Sequence, residues 1–349
     1  MKILLVSPLP PPAGGIATWT LMYREYCQEH DISLHIVNTA LQGTRAAKKG
    51  SQLRILDELK RTIFVLCDFG KAIKQRPDVT HINTSCSKLG ILRDYLCVLR
   101  AKRQHIPVVL QCHCNIEDQL KGKLAHKVFQ KAANAAAGVW VLNCASAEFT
   151  EKQTKTPISI IPNFISESRI VPQKKIRETV QEVIFVGHVR KEKGVREIYD
   201  AARKFPQITF TLVGPVQDEI ATMKAPDNVV LVGSRPPEDV PQYLQKADVF
   251  LFPSYTEGFA NALLEAMATG LPIVATDVGA NKEMLEDCGG AIVPAGNSKL
   301  LCEALKELDS MPEIRQQISA WNLNKVKTNY TTNVVLGKII RQYEKIMKS

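Results

Sequence analysis

The sequence predicts an α/β chain of two doubly wound units, each a parallel β-sheet wrapped by helices. Short apolar runs of strand length alternate with longer amphipathic stretches of helix length along nearly the whole chain. Several of those runs end in glycine or proline directly before a helix start, the layout of a strand-to-helix turn at the carboxyl edge of a parallel sheet. The chain has 349 residues. That is long for one domain and fits two of about 150 to 180 residues.

The first unit is expected over 1–165. Lys2 to Val6 reads as a buried strand that breaks at Pro8, Pro10, Pro11 and Pro12, then at Gly14-Gly15, before an amphipathic helix from Ala17 to Glu29. Such a turn brings backbone N–H groups close to a phosphate, although any tight turn can use a Gly-Gly pair. Further strands are read at Ser33–Val37, Val79–Ile82, Val108–Gln111, Val139–Leu142 and Ile158–Ile161, with helices near 53–75, 89–103, 119–136 and 145–154. His113 follows the strand Val108–Gln111, at the edge where an open α/β sheet binds ligands; a purely structural histidine is its other reading. Leu41 to Gln52 is polar and basic and reads as an exposed loop. With the helix after it, this loop is the expected contact for a membrane or an acceptor.

A linker is expected over 166–180, a second unit over 181–330, and a last helix over 331–349 that crosses back to the first unit. Glu182 to Val186 is a strand ending at Gly187, followed by His188-Val189-Arg190-Lys191-Glu192-Lys193-Gly194 and a helix from Val195. Basic side chains at such a turn can neutralise a diphosphate or simply form a solvated face. Thr209–Val213 and Val229–Val232 are strands, and Gly233 to Asp239 is a loop before a helix to Lys246. The run Asp248 to Pro253 is a buried strand. Glu257-Gly258-Phe259-Ala260-Asn261 then leads into a helix over Ala262–Thr269, stopped by Gly270 with Pro272 beyond. Helical patterns occupy 297–320 and 332–347.

Glu257 thus sits at a carboxyl edge, and Glu265 lies one to two turns into the helix. The helix start offers unpaired N–H groups that suit phosphate. Two carboxylates beside a phosphate repel it, whereas sugar hydroxyls donate hydrogen bonds to ionised acceptors. The local reading is a nucleotide-sugar site, with an acid that merely favours the helix dipole as the plain alternative.

Composition narrows the choices. Hydrophobic residues at 45% and charged residues at 23% are ordinary for a globular protein. The opening apolar run is too short for a signal-peptide core, and no run reaches membrane-span length, so a cytoplasmic protein is expected. Nine cysteines at irregular spacing, with no C-x-x-C pair, read as buried thiols; Cys112-His113-Cys114 lacks a second ligand pair for zinc. Neither G-x-G-x-x-G nor a P-loop occurs, which argues against a nicotinamide enzyme and an NTPase. Residues 1–165 carry 22 Lys and Arg against 12 Asp and Glu, and the remainder 23 against 23. The excess of positive charge in the first half suits an anionic membrane face or a diphosphate-linked lipid. Nucleic acid is disfavoured because no aromatic-basic interleaving accompanies the charge.

The stretch Phe252-Pro253-Ser254 through Glu257-Gly258-Phe259 and Glu265-Ala266-Met267-Ala268 to Thr276 closely resembles the donor-binding core of glycosyltransferase family 4, retaining enzymes of GT-B fold. Ile160-Ile161-Pro162-Asn163 and Asp277-Val278-Gly279-Ala280 are similar to further family segments. His188 stands where the family usually has arginine, with Arg190 two positions on; Cys114 and Phe164 also depart from the usual pattern. The resemblance implies two Rossmann-like domains facing across a cleft, and transfer of a sugar from a nucleotide diphosphate (UDP favoured, GDP next) to a hydroxyl of a glycan or polyprenyl-diphosphate-linked acceptor. It implies that Glu265 accepts ribose hydroxyls and Glu257 a hydroxyl of the donor sugar. Backbone N–H groups around Gly258, Phe259, Ala260 and Asn261, with Arg190 and Lys193, hold the diphosphate. Arg235 lines the base, His113 lies against the donor sugar, and Gly14 and Gly15 border the diphosphate. No D-x-D motif occurs, so no cofactor or metal is expected. A non-catalytic donor-binding partner of a glycosyltransferase and a GT-B epimerase are the alternative classes.

Overall fold

A computed structural model of the chain describes residues 1–11, 14–40, 55–172, 175–286 and 288–348. The expected basic loop over Leu41–Gln52 lies outside them. The chain divides into two compact units, Met1–Asn163 with Thr332–Ser349, and Phe164–Thr331.

The first unit runs β1 (Lys2–Ser7), α1 (Gly15–Glu29), β2 (Ser33–Asn38), α2 (Ile55–Ala72), β3 (Val79–Thr84), α3 (Lys88–Lys102), β4 (Val108–Cys112), α4 (Ile116–Gln119), α5 (Lys123–Ala135), β5 (Gly138–Val141), α6 (Cys144–Glu151) and β6 (Ile158–Ile160). Its six strands are all parallel, in the order β2-β1-β3-β4-β5-β6. Strands buried on both faces need apolar residues at successive positions, which explains their Val, Ile and Leu content. Leu4, Val6, Ile82, Leu110 and Val141 form one core with Val65 and Phe69 of α2, Ile91 and Val98 of α3, and Phe129 of α5. The opposite side-chain parity carries His81, Asn83, Gln111 and Trp140. His81 and Trp140 there meet Trp19 of α1 and Tyr343 of the last helix.

The second unit runs β7 (Glu182–Val186), α7 (Val195–Lys204), β8 (Thr209–Val213), α8 (Asp218–Ala221), β9 (Val229–Gly233), α9 (Val240–Lys246), β10 (Val249–Phe252), α10 (Asn261–Ala268), β11 (Ile273–Thr276), α11 (Asn281–Leu285), β12 (Gly290–Val293), α12 (Ser298–Ser310) and α13 (Pro312–Asn329). Its parallel sheet has the order β12-β11-β10-β7-β8-β9. Strand order therefore reverses between β7 and β10, and in the first unit between β1 and β3. Diverging connections at such a switch point leave a crevice at the carboxyl edge, where open α/β sheets take ligands. The last helix, α14 (Thr332–Lys348), belongs to the first unit.

Two helical expectations are corrected. The stretch 119–136 is not one helix: α4 ends at Gln119, because Leu120, with ψ 89°, leaves the helical region before α5 begins at Lys123. The pattern over 297–320 is two helices, because Pro312 has no N–H to continue α12 and holds Met311 at φ −127°, ψ 77°. The segment read as a linker is tied to the second unit. Val171 N–H donates to Ala268 O (3.2 Å), Arg177 pairs with Asp248 (2.8 Å) and Val180 N–H donates to Asp309 Oδ1 (2.7 Å). No helix among the described residues is long and apolar enough to cross a membrane.

His81 makes the first unit acid-sensitive. It is fully buried, with Nδ1 hydrogen-bonded to the Tyr343 hydroxyl. Burial, then the neighbouring His113 ring, push its pKa down to about 3. Below the unfolded imidazole's pKa of about 6.5, the unfolded chain binds a proton that the folded chain refuses. Stability is therefore full above that pH and falls as pH drops toward the folded value, by about 1.4 kcal/mol per unit for this group. Urea titrations at descending pH should show this slope, reduced in His81→Gln. Equal slopes in the two proteins would contradict it.

Candidate functional site

At the switch point of the second unit, the turn after β7 with the start of α7 and the loop after β10 are joined at four places. Lys193 Nζ is paired with Glu257 Oε1, 64 residues away in sequence. Tyr255 N–H donates to Glu192 O (3.0 Å), and Tyr255 OH donates to Glu197 Oε1 (2.5 Å). Gly194 has φ +73°, and a Cβ there would lie 2.1 Å from Pro253 O, so only glycine lets the two backbones touch. The Lys193 and Glu257 side chains are 16% and 12% exposed, enough for both to reach a ligand from the edge. Lys193 also lies over the Phe252 ring, 5.9 Å from its centroid.

Arg190 stands at the start of the same turn, 3.7 Å from Glu192, with its side chain one-third exposed. Gly258 O accepts from Ala280 N–H (3.0 Å). Phe259 is buried edge-to-face on Tyr330 (5.7 Å between centroids), and Ala260 is buried beside it. These contacts fix the start of α10, which has no side-chain cap. Its first turn therefore places the positive end of the helix dipole beside Lys193 and Glu257.

Glu265 lies one turn into α10. Burial pushes its carboxyl pKa up, and Arg169 partly opposes this. Arg169 also donates to Pro237 O (3.1 Å), so one guanidinium links the Glu265 neighbourhood to the loop after β9. Arg235, in that loop, is exposed.

The first unit presents its own edge. His113 N–H donates to Thr84 O (2.9 Å), its ring lies edge-on to Trp19 (5.4 Å), and Nε2 is 3.0 Å from Asn83 Oδ1. Asn83 donates its amide N–H to Ser7 Oγ (3.0 Å), so its Oδ1 accepts from His113 Nε2–H. Ser7 Oγ is 2.6 Å from Thr20 Oγ1, which donates to Ile16 O (2.8 Å). A directed chain of hydrogen bonds thus links the first turn of α1, next to Gly14 and Gly15, to the ring of His113. Burial pushes His113 down to about pKa 3 against an opposing contact from Asn163. The ring is neutral at physiological pH and acts as a hydrogen-bonding contact.

Sequence reasoning did not find Arg169, Tyr255 or Glu197. Arg169 falls in a segment without periodicity. Tyr255 lies inside the quoted stretch without a role of its own there, and its partner Glu197 was hidden on a separate helix. Gly279 carries a further constraint: its φ is +56°, and a Cβ would lie 2.3 Å from Glu257 O and 2.8 Å from Gly258 O. Gly279→Ala should therefore displace the Glu257 loop, cost about 1–3 kcal/mol of stability, and reduce activity in the folded fraction. Unchanged melting temperature and turnover would contradict this packing.

Residues 166–322 match the family described as Glycosyl transferases group 1. The match lies inside the second unit, so that unit carries a domain of this family, and the chain has the GT-B fold of the solved structures it resembles. A Bacillus subtilis protein that bears the name teichuronic acid biosynthesis glycosyltransferase is 24% identical over 298 residues, 80% of this chain and 74% of the relative. The alpha-galactosylglucosyldiacylglycerol synthase of Streptococcus pneumoniae is 26% identical, with 77% of each chain covered. Among solved structures, sucrose-phosphate synthase of Thermosynechococcus elongatus is similar with TM-score 0.81 at 16% identity, covering 99% of both chains. Anabaena HepE in complex with UDP has TM-score 0.76 at 18% identity, covering 99% of this chain and 100% of that one.

Proposed function

We propose that the protein transfers a sugar, with retention of configuration, from a nucleotide diphosphate sugar to a hydroxyl of a glycan or lipid-linked acceptor in the synthesis of surface polysaccharide. The observation that carries this reading is the Lys193–Glu257 pair beside the uncapped start of α10, at the switch point of the matched domain. UDP is the favoured nucleotide, supported by similar structures that hold UDP and UDP-glucose. Relatives named for teichuronic acid and amylovoran biosynthesis support the polysaccharide assignment.

In this reading the α10 start, Lys193 and Arg190 take the diphosphate and stabilise it as it departs. Glu257 accepts a hydroxyl of the transferred sugar, and Glu265 accepts those of the ribose. His113 contributes a neutral hydrogen bond to the sugar, Gly14 and Gly15 border the diphosphate, and Arg235 lines the base. A phosphate oxygen of the donor takes the acceptor proton on the face the leaving group vacates, so no enzyme nucleophile is assigned. Two cations and a helix start supply the positive charge a metal would otherwise bring, and the reaction is metal-independent. The acceptor side faces an anionic membrane, and the enzyme works in the cytoplasm at its inner surface.

Thermal shift with UDP-, GDP- and ADP-sugars tests the donor assignment. Selective stabilisation by one donor, unaffected by EDTA, is expected. Stabilisation by none, or loss of the effect on adding EDTA, would overturn the corresponding part of the reading.

A further inference from the structure

The outer stripes of α2 and α3, and Leu124 on α5, are apolar where solvent-facing helices are ordinarily polar. These three helices pack on one face of the first sheet and share one core. On α2, Leu59, Ile63 and Phe64 point outward; on α3, Leu89, Leu92 and Leu96 follow one another at helical spacing; on α5, Leu124 stands outermost. These side chains are between 39% and 77% exposed. Of the ten large apolar side chains described as exposed in the first unit, seven lie on these three helices. Single exposed leucines need no explanation, but stripes on two neighbouring helices, with Leu124 on a third, form a patch.

The exposed charges on these helices are all positive. Lys60, Lys88, Arg100, Lys123, Lys127 and Lys131 are all exposed on the same helices. α5 contains no acid, and the one acid of α3, Asp94, is buried against Arg93 (2.7 Å). On α2, Glu58 is held by Arg61 (3.0 Å), and Asp57 and Asp68 are half-buried. Protein interfaces deplete lysine around their apolar centres and enrich tyrosine and tryptophan. Here lysine is interleaved with leucine, isoleucine and phenylalanine, the composition of a surface that lies in a lipid headgroup layer.

We propose that this α2–α3–α5 face docks onto an anionic lipid bilayer, its leucines and Phe64 entering the headgroup boundary and its lysines meeting lipid phosphates. The proposal deepens the membrane-side reading above by naming the surface, and it does not depend on the donor site. The test is co-sedimentation of the full chain with vesicles of phosphatidylcholine alone or mixed with phosphatidylglycerol. Binding is expected to the mixed vesicles and to weaken with added salt. It should drop tenfold or more in a Leu89→Ser, Leu92→Ser, Leu96→Ser variant and in a Lys123→Glu, Lys127→Glu, Lys131→Glu variant. All of these residues are exposed, so both variants should keep the wild-type melting temperature and the wild-type thermal shift with donor. Absent binding to the mixed vesicles, or binding unchanged in both variants, would overturn the proposal. So would a wild-type dimer in solution that the serine variant converts to monomer, or binding of RNA in place of vesicles. Loss of donor shift in the wild-type protein would instead sink the proposed function and leave this surface standing.

Discussion

Glu257→Ala should lower the rate of sugar transfer about a hundredfold to a thousandfold, the scale of removing one preorganised polar contact from a transition state. Lys193→Ala should do the same. The reason lies in the pair they form: each side chain holds the other at the edge of the matched domain, so neither charge acts alone. Removing one partner leaves the other partly buried without compensation, at a cost to folding of about 1–3 kcal/mol. Melting curves therefore accompany the kinetics, to count only folded enzyme. The double variant discriminates further. If the pair works as a unit, its loss of activity is close to that of either single variant, not the product of the two. Full activity in both single variants would remove the pair from the reaction.

Glu265→Gln should stabilise the empty protein while weakening donor binding by tenfold or more. Burial pushes this carboxyl up, with Arg169 partly opposing. A carboxylate whose folded pKa is raised costs stability while it is ionised, and that cost is relieved as pH falls through the folded value. Glutamine keeps the shape and removes the charge. Ribose hydroxyls donate to the ionised form, so donor binding in the wild type should weaken as pH falls, starting above the ordinary carboxylate range. The variant should lose that pH dependence. Melting temperature without ligand and donor affinity across pH, measured on both proteins, check the two halves separately. A variant that is less stable yet binds donor as well as wild type would refute the role.

Much of this arrangement was legible because strand-to-helix turns carry local signals. Gly187, Gly194 and Pro253 marked the carboxyl edges, so Lys193 and Glu257 were each assigned to an edge from sequence. Their direct pairing was not readable. It requires β7 and β10 to be neighbours, and strand order is set by long-range packing, not by the residues of either turn. Arg169 was invisible for a related reason. It acts through Pro237, 68 residues away, from a stretch with no hydrophobic period to announce structure. The relay from Ile16 to His113 uses Ser7, Thr20 and Asn83, common polar residues whose alignment depends on three strands meeting one helix. The break at Pro312 had a plain signal, since proline forbids the helical continuation that the apolar period suggested. The break after Gln119 had a weaker one in Gly122.

The central claim is that the switch point of the second unit holds the donor diphosphate. A crystal structure with the nucleotide sugar selected by thermal shift tests it most directly. The account predicts the diphosphate at the first turn of α10 within hydrogen-bond distance of Lys193 Nζ, with the ribose hydroxyls on Glu265. A nucleotide bound elsewhere, with Lys193 still engaged only by Glu257, would contradict it.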